Sequence, residues 1–182
     1  NPNKLIIPRY WVNQNECIKE NNQEVDNYLI IFRNVIQKMT NARCSMFTVI
    51  PFSGVGNSAP LLYTQKKIDY SLALLANLNS LVFDFIARQS IGGGNFNFYI
   101  VKQLAAFPPE FYNEEISLFI IPKVFELLYT AWDLQEFANE LWHFSYSKLR
   151  DSFIEQWKNN LLETETAGRN FEIPDWVDQS SL

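Results

Sequence analysis

The chain has 182 residues, a formal net charge of -5 and two cysteines. At roughly 100–200 residues per domain, that is one domain, or one domain with a helical appendage. A hydrophobic content of 47% excludes wholesale disorder, and a charged content of 19% excludes a coiled coil or a solvated charged tail.

Cys17 and Cys44 cannot build a disulfide framework, which points to a reducing compartment, the cytoplasm. No apolar run reaches the roughly 18 residues of a membrane span, so no membrane partner is expected. The opening NPNKLIIPRYWV has no basic n-region and no signal-type apolar stretch. It reads as a cut inside a longer polypeptide. The single histidine, His143, excludes a His-pair metal site.

Taken in chain order, the pattern is α+β. Leu5 to Val12 is apolar and β-prone, but Pro8 confines it to an edge strand or an extended lead-in. Residues 15–24 are polar and fit a short helix. Tyr28 to Ile36 (YLIIFRNVI) reads as a buried strand. Cys44 to Ile50 is a second strand, stopped by Pro51, and the glycine- and proline-punctuated loop PFSGVGNSAP follows. Leu61 to Thr64 fits a third, short strand.

Asp69 is placed to cap the next helix. From Tyr70 to Gln89 apolar residues recur at Leu72, Leu75, Leu78, Val82, Phe83 and Ile86, near a 3.6 period. Leu74, Leu81 and Phe85 widen the stripe, so a long helix buried on much of its surface is expected. Gly92-Gly93-Gly94 stops it. Asn95 to Val101 alternates like a strand. Helices are expected over Ile116–Thr130, Leu134–Leu141 and Leu149–Leu162, with a loose tail. The expected architecture is a small mixed or antiparallel sheet packed with the long helix, then a C-terminal helical part. Residues 1–112 would form the α/β core and 113–182 an acidic helical part packed on it.

Charge is unevenly spread. Residues 33–104 hold seven basic and two acidic groups, net +5, whereas residues 105–182 hold five basic and fourteen acidic groups, net -9. The basic block is either clustered on solvated faces or an anion-binding surface.

Motifs for chemistry are poor. Gly54-Val55-Gly56 and the triple glycine lack the spacing and the strand–loop–helix context of a nucleotide cradle. Phe107-Pro108-Pro109-Glu110 differs from the Asn-Pro-Pro-Tyr signature of amino-methyltransferases at both ends, and reads as a turn. His143, between Trp142 and Phe144, reads as a packed helical residue. The chain is therefore expected to be non-catalytic by itself.

The middle block carries a linked series of residues: Leu78, Asn79, Ser80, Asp84, Arg88, Gln89, Gly92 to Gly94, Asn97, Lys102, Gln103, Leu104, Pro108 and Pro109. Flanking segments RYWV at 9–12, FRN at 32–34 and YTAWDLQEFA at 129–138 extend the series over residues 5–140. In this order they resemble the C-terminal target-recognition region of restriction–modification adenine-specific DNA methyltransferases. The specificity subunits of type I restriction enzymes share the plan. The exit Leu104-Ala105-Ala106-Phe107-Pro108-Pro109 departs from the family's Pro-Val-Leu-Pro-Pro-like form, and the chain beyond about residue 145 matches less well.

The resemblance implies a non-catalytic reader of double-stranded DNA. Its further partner would be the methyltransferase domain of the same chain. No cofactor is expected on these residues; S-adenosylmethionine would serve the whole protein. Candidate DNA contacts are Arg33, Arg43, Lys66, Lys67, Arg88 and Lys102 as cations, and Asn41, Gln89, Asn95 and Asn97 as amides. Gly93 stands where backbone could approach closely. Amides can pair with adenine and guanidinium groups with guanine. The competing reading is a protein-interaction or scaffolding domain of a large multidomain protein, with the acidic helices docking another domain.

Overall fold

The structure is a computed structural model that describes residues 28–36, 41–64 and 66–167, with isolated positions before residue 28. Most of the strand expected at Leu5–Val12, most of the polar helix at 15–24, Cys17 and the tail beyond 167 lie outside the described residues; Ile7, Trp11 and Val12 are described as irregular and exposed.

An α+β fold is present. The apolar run YLIIF forms β1 (Tyr28–Phe32), the central strand of a three-stranded sheet in the order β2-β1-β3. Its position follows from its composition, because only residues apolar on both faces tolerate burial on both sides. Phe47–Pro51 (β2) and Leu61–Leu62 (β3) flank it, both antiparallel. Ile30 faces Val49 on one side and Leu62 on the other.

The end of β1 and the starts of β2 and β3 therefore share one end of the sheet. Four segments gather there: 33–36, 41–46, 52–60 and the glycine-rich 91–97.

The helix expected over Tyr70–Gln89 is broken. Ile68–Leu78 (α1) and Leu81–Ser90 (α2) meet at an elbow of 63° at Asn79 and Ser80. Ser80 takes extended backbone, and its hydroxyl accepts from the Phe83 N–H, the standard start of a new helix. α1 is a core helix, burying Ile68, Leu72, Ala73, Leu75 and Leu78. α2 buries only Phe83, Asp84 and Ala87. Leu81, Val82, Phe85 and Ile86, expected inside, are exposed. The elbow rotates them away from the core that a straight helix would have offered. Asp69 does not cap α1; Lys67 occupies that position, and Asp69 lies in the first turn.

The strand expected at Asn95–Val101 is instead a one-turn helix, Phe98–Val101 (α3), with a single bridge between Asn95 and Val35. The Asn97 carboxamide oxygen accepts from the Ile100 N–H and starts the turn. That local bond outcompetes the alternating pattern. Phe96 is buried, while Phe98 and Tyr99 keep exposed surface.

Three further helices follow: Glu114–Leu128 (α4), Gln135–Phe144 (α5) and Ser147–Ala167 (α6). They do not form a separate appendage. One hydrophobic core runs from Phe32, Phe47 and Phe96 through Leu72 and Leu75 to Phe125, Phe137 and Phe153. The Tyr28 and Phe137 rings, 4.9 Å apart, tie the sheet directly to α5. His143 is exposed in the last turn of α5 rather than packed. Among the described residues no single helix is long and apolar enough to cross a membrane.

The elbow is held by one carboxylate. Asp84, buried on α2, accepts from the Cys44 and Ser45 N–H groups at 2.7 Å each. Arg43 Nε stands 3.5 Å from one of its oxygens and Arg88 Nη2 3.8 Å from the other. Arg43 also donates to the Asn79 carbonyl at 2.6 Å, and Arg88 to the Asn41 and Ala42 carbonyls at 3.1 and 3.0 Å. Asn79 then pairs with both backbone groups of Phe47, at 2.9 Å each, like an added piece of strand. The lead into β2 is thus bolted to the elbow from both sides.

Burial alone would raise the Asp84 carboxyl, but the Ser45 and Cys44 amides and the Arg43 charge outweigh it and hold it below the ordinary range. A carboxyl depressed in the folded state stabilises the fold above its unfolded pKa, and that contribution is lost as pH falls through the folded value. Urea midpoints should therefore drop on acidification below about pH 4. Asp84→Ala strands two cations and two amides and should cost about 3–5 kcal/mol, as for a broken buried pair. The variant should also lose its share of the acid dependence, which the same urea titrations would reveal.

Candidate nucleic-acid interface

A surface that reads duplex DNA needs cations for phosphates and amide or guanidinium groups for base edges. The loops at the β1 end of the sheet bring both together. Arg33 follows β1 directly. It is exposed, with Nε donating to the Val35 carbonyl at 2.8 Å, which holds the guanidinium beside the loop. Arg43 leads into β2, and Arg88 reaches the same segment from α2. Exposed Lys102 closes α3, whose Phe98 ring packs 5.1 Å from Phe32 at the end of β1. Among the described residues Arg33, Arg43 and Arg88 thus lie at this end and Lys102 follows on α3, with the buried carboxylate Asp84 among them.

Asn34 organises the loops. Its N–H donates to the Ser58 carbonyl at 3.0 Å, and its carbonyl accepts from the Phe96 N–H at 2.7 Å. Its side-chain amide donates to the Asn57 carbonyl at 3.3 Å. One residue therefore clamps the Gly54–Ser58 loop on one side and the Gly92–Asn97 loop on the other. The Ile36 N–H adds a bond to the Gly94 carbonyl at 2.8 Å. Asn57, Ser58, Gly92, Gly93 and Asn95 are left exposed on the two loops.

The sequence-derived site residues divide into three groups. Arg33, Gln89, Gly93, Asn95 and Lys102 are exposed at or beside the loops. Arg43, Arg88, Asn41 and Asn97 are near them but hold the fold together. Arg43 and Arg88 grip Asp84 and neighbouring carbonyls. Asn41, half-buried, offers its carbonyl to Arg88, and Asn97 starts α3. Lys66 and Lys67 are exposed at the start of α1, whereas Arg43 grips its end at Asn79. Eleven residues of helix at 1.5 Å each separate the two sites by about 16 Å.

Sequence reasoning passed over Asn34, Asn57 and Ser58 as loop contributors. Asn34 stood inside an expected strand, and Asn57 and Ser58 in a loop weighed only as a phosphate cradle. A hint was available in Asp84, a carboxylate in an otherwise apolar stripe, which demands partners from elsewhere in the chain.

The opposite end of α1 has another character. A cleft of about 340 Å³ is lined by Asp69, Tyr70, Tyr112, Glu114 and Tyr146, among others. Burial, then the Glu114 and Asp69 carboxylates, raise the Tyr146 phenol. Glu114 is in turn paired with Lys148 at 3.0 Å. Among the described residues no cluster of three or more histidine, cysteine or carboxylate side chains could hold a metal ion.

No protein-family model, curated protein or solved structure matches the chain.

The exposed glycines offer a test. A Cβ at Gly92 or Gly93 meets nothing within 4 Å, and neither adopts the left-handed backbone that reserves a position for glycine. The fold itself does not require glycine there. Gly93→Ala should leave stability unchanged or raise it by about 0.4–1 kcal/mol through the unfolded chain, measured by thermal or urea unfolding.

Proposed function

We propose that this chain is the sequence-reading DNA-binding domain of a bacterial restriction–modification or phage-defence adenine methyltransferase. The observation that carries the reading is the convergence of Arg33, Arg43, Arg88 and Lys102 with two Asn34-clamped, glycine-rich loops at one end of the sheet. The residue series from Leu78 to Pro109, which resembles the target-recognition regions of that family, supports it. The partner is double-stranded DNA, with a methyltransferase domain of the same protein beside it.

In this reading Arg33 and Lys102 meet phosphates. Asn57, Ser58, Gln89 and Asn95 present hydrogen-bonding groups, while Gly92 and Gly93 let backbone come close to the duplex. The domain orients DNA so that a methyltransferase domain can flip and methylate an adenine. S-adenosylmethionine belongs to that domain, and these residues take no part in the chemistry. The buried, free Cys44 fits residence in a reducing cytoplasm.

A second reading, a non-catalytic protein-interaction or scaffolding domain, is favoured by one observation, the exposed apolar face of α2.

Fluorescence anisotropy with a pool of short duplexes separates the two. DNA reading predicts binding with strong salt dependence. With Arg33 and Lys102 on phosphates, those two contacts lower log K with log salt at a slope of roughly -2. Arg33→Glu with Lys102→Glu should weaken binding to all sequences alike and flatten that slope. Lys66→Glu with Lys67→Glu, at the far end of α1, should change it far less. Gly93→Ala should reduce binding without loss of stability. Salt-independent or absent binding, also in the full-length protein, would leave the scaffolding reading standing.

A further inference from the structure

The cleft at the far end of α1 is assembled from three parts of the chain. Asp69 and Tyr70 come from the first turn of α1, and Glu114 and Ser117 from the start of α4, against which α1 packs. Tyr112 and Tyr146 come from the residues just before α4 and α6. Its 340 Å³ lies in the range of small-ligand sites. At roughly 30 Å³ per water-sized group, that is room for about ten non-hydrogen atoms.

One group in its wall is unsatisfied. Tyr112 is only 9% exposed, and its hydroxyl is shut off from solvent without a hydrogen-bond partner. Buried hydroxyls are normally paired, so an unpaired one on the wall of a cleft calls for a reason. The Ser117 hydroxyl donates to the Tyr112 carbonyl at 3.2 Å and so fixes the backbone that carries the ring.

Charge selects the guest. Asp69 accepts from the Tyr70 N–H at 2.9 Å and, among the described residues, has no ion pair. Glu114 shares Lys148 in an exposed pair, which contributes little to the fold. After burial, Glu114 and then Asp69 act most strongly on the Tyr146 phenol, and Lys148 opposes them by less than either. The space at Tyr146 is therefore net negative, which rejects an anion. A neutral apolar guest would strip two carboxylates and the hydroxyls of water with no return. Two carboxylates are also too few for a hard metal ion, which takes about six oxygens or more. An organic ammonium ion meets the whole set. Its three N–H donors suit carboxylate and phenol oxygens, and tyrosine rings attract its charge.

We propose that this cleft binds a primary ammonium group, carried by a small amine or a lysine side chain, between Asp69, Glu114 and the hydroxyls of Tyr112 and Tyr146. Lys148 is the competitor that the guest must displace from Glu114. The site is independent of the DNA reading, since it lies at the end of α1 away from Arg43 and the glycine-rich loops.

Amide NMR spectra of the chain, titrated with phenethylammonium, give the test. Shifts should converge on residues 69–73, 112–117 and 146, with a Kd of about 1 mM or below for a guest of this size. The neutral 2-phenylethanol and the anionic 3-phenylpropionate should bind about ten-fold more weakly or worse, the effect of one charge-assisted hydrogen bond. N-acetyllysine methylamide in the same titration distinguishes the sources: whichever of the two ammonium probes binds tighter names the carrier. Tyr112→Phe should keep or raise the thermal midpoint, because it removes an unpaired hydroxyl, yet weaken ammonium binding about five-fold. Lys148→Met should tighten it. Absence of shifts at the cleft with both ammonium probes, equal binding of the alcohol, or an affinity unmoved by Tyr112→Phe overturns the proposal. So does weaker binding in Lys148→Met, because Lys148 would then be part of the site rather than a competitor.

Discussion

The Asp84 carboxylate organises the elbow between α1 and α2 and the loops beside it. It is buried, it accepts from two consecutive backbone amides, and two arginines stand over it. Each hydrogen bond to a charged group contributes about 1.5–3 kcal/mol only where geometry is good and water is excluded. Those conditions are met because α2 breaks from α1 at Ser80 and turns Asp84 inward. The elbow, the lead into β2 and the loop at 41–45 are therefore one mechanical unit. The glycine-rich loop after α2 inherits its position from that unit.

Arg43 and Arg88 take on a double character from this arrangement. They raise the positive potential at the loop end of the sheet, yet their guanidinium groups are committed to Asp84 and to four backbone carbonyls. Changing either would alter the fold and the surface together. Arg33 and Lys102 lie at the same end without being built into the elbow. A change of charge at those two positions leaves the elbow intact.

The apolar outer face of α2 and the polar loop end arise from the same break in the helix. A straight helix from Ile68 to Ser90 would have buried Val82 and Ile86 along with Leu75 and Leu78, as their spacing suggests. The 63° turn gives the core Phe83 and Ala87 instead and presents the other stripe outward. Ten residues thus have two sides: one locks the β2 lead, and the other is exposed.

Much of this was legible in the chain itself. The β-branched and aromatic run from Tyr28 reads as a buried strand, and the sheet order then puts it at the centre. The α+β class, the strands at Phe47 and Leu61 and the helices after residue 113 follow from local periodicity and from punctuation by glycine and proline. The Asp84–Arg88 pair follows from helical spacing. Three features were decided only in three dimensions. Whether Asn79-Ser80 sits inside a helix or breaks it depends on Phe47 and Arg43, which bind Asn79 from more than thirty positions away. Whether Asn95–Val101 pairs as a strand depends on a free sheet edge, and Asn97 capped a turn instead. Which cations share a surface depends on the direction of α1, which carries Lys66 and Lys67 to one end and Arg43 to the other. Periodicity reports which residues seek burial, but only the packed chain determines which of them find it.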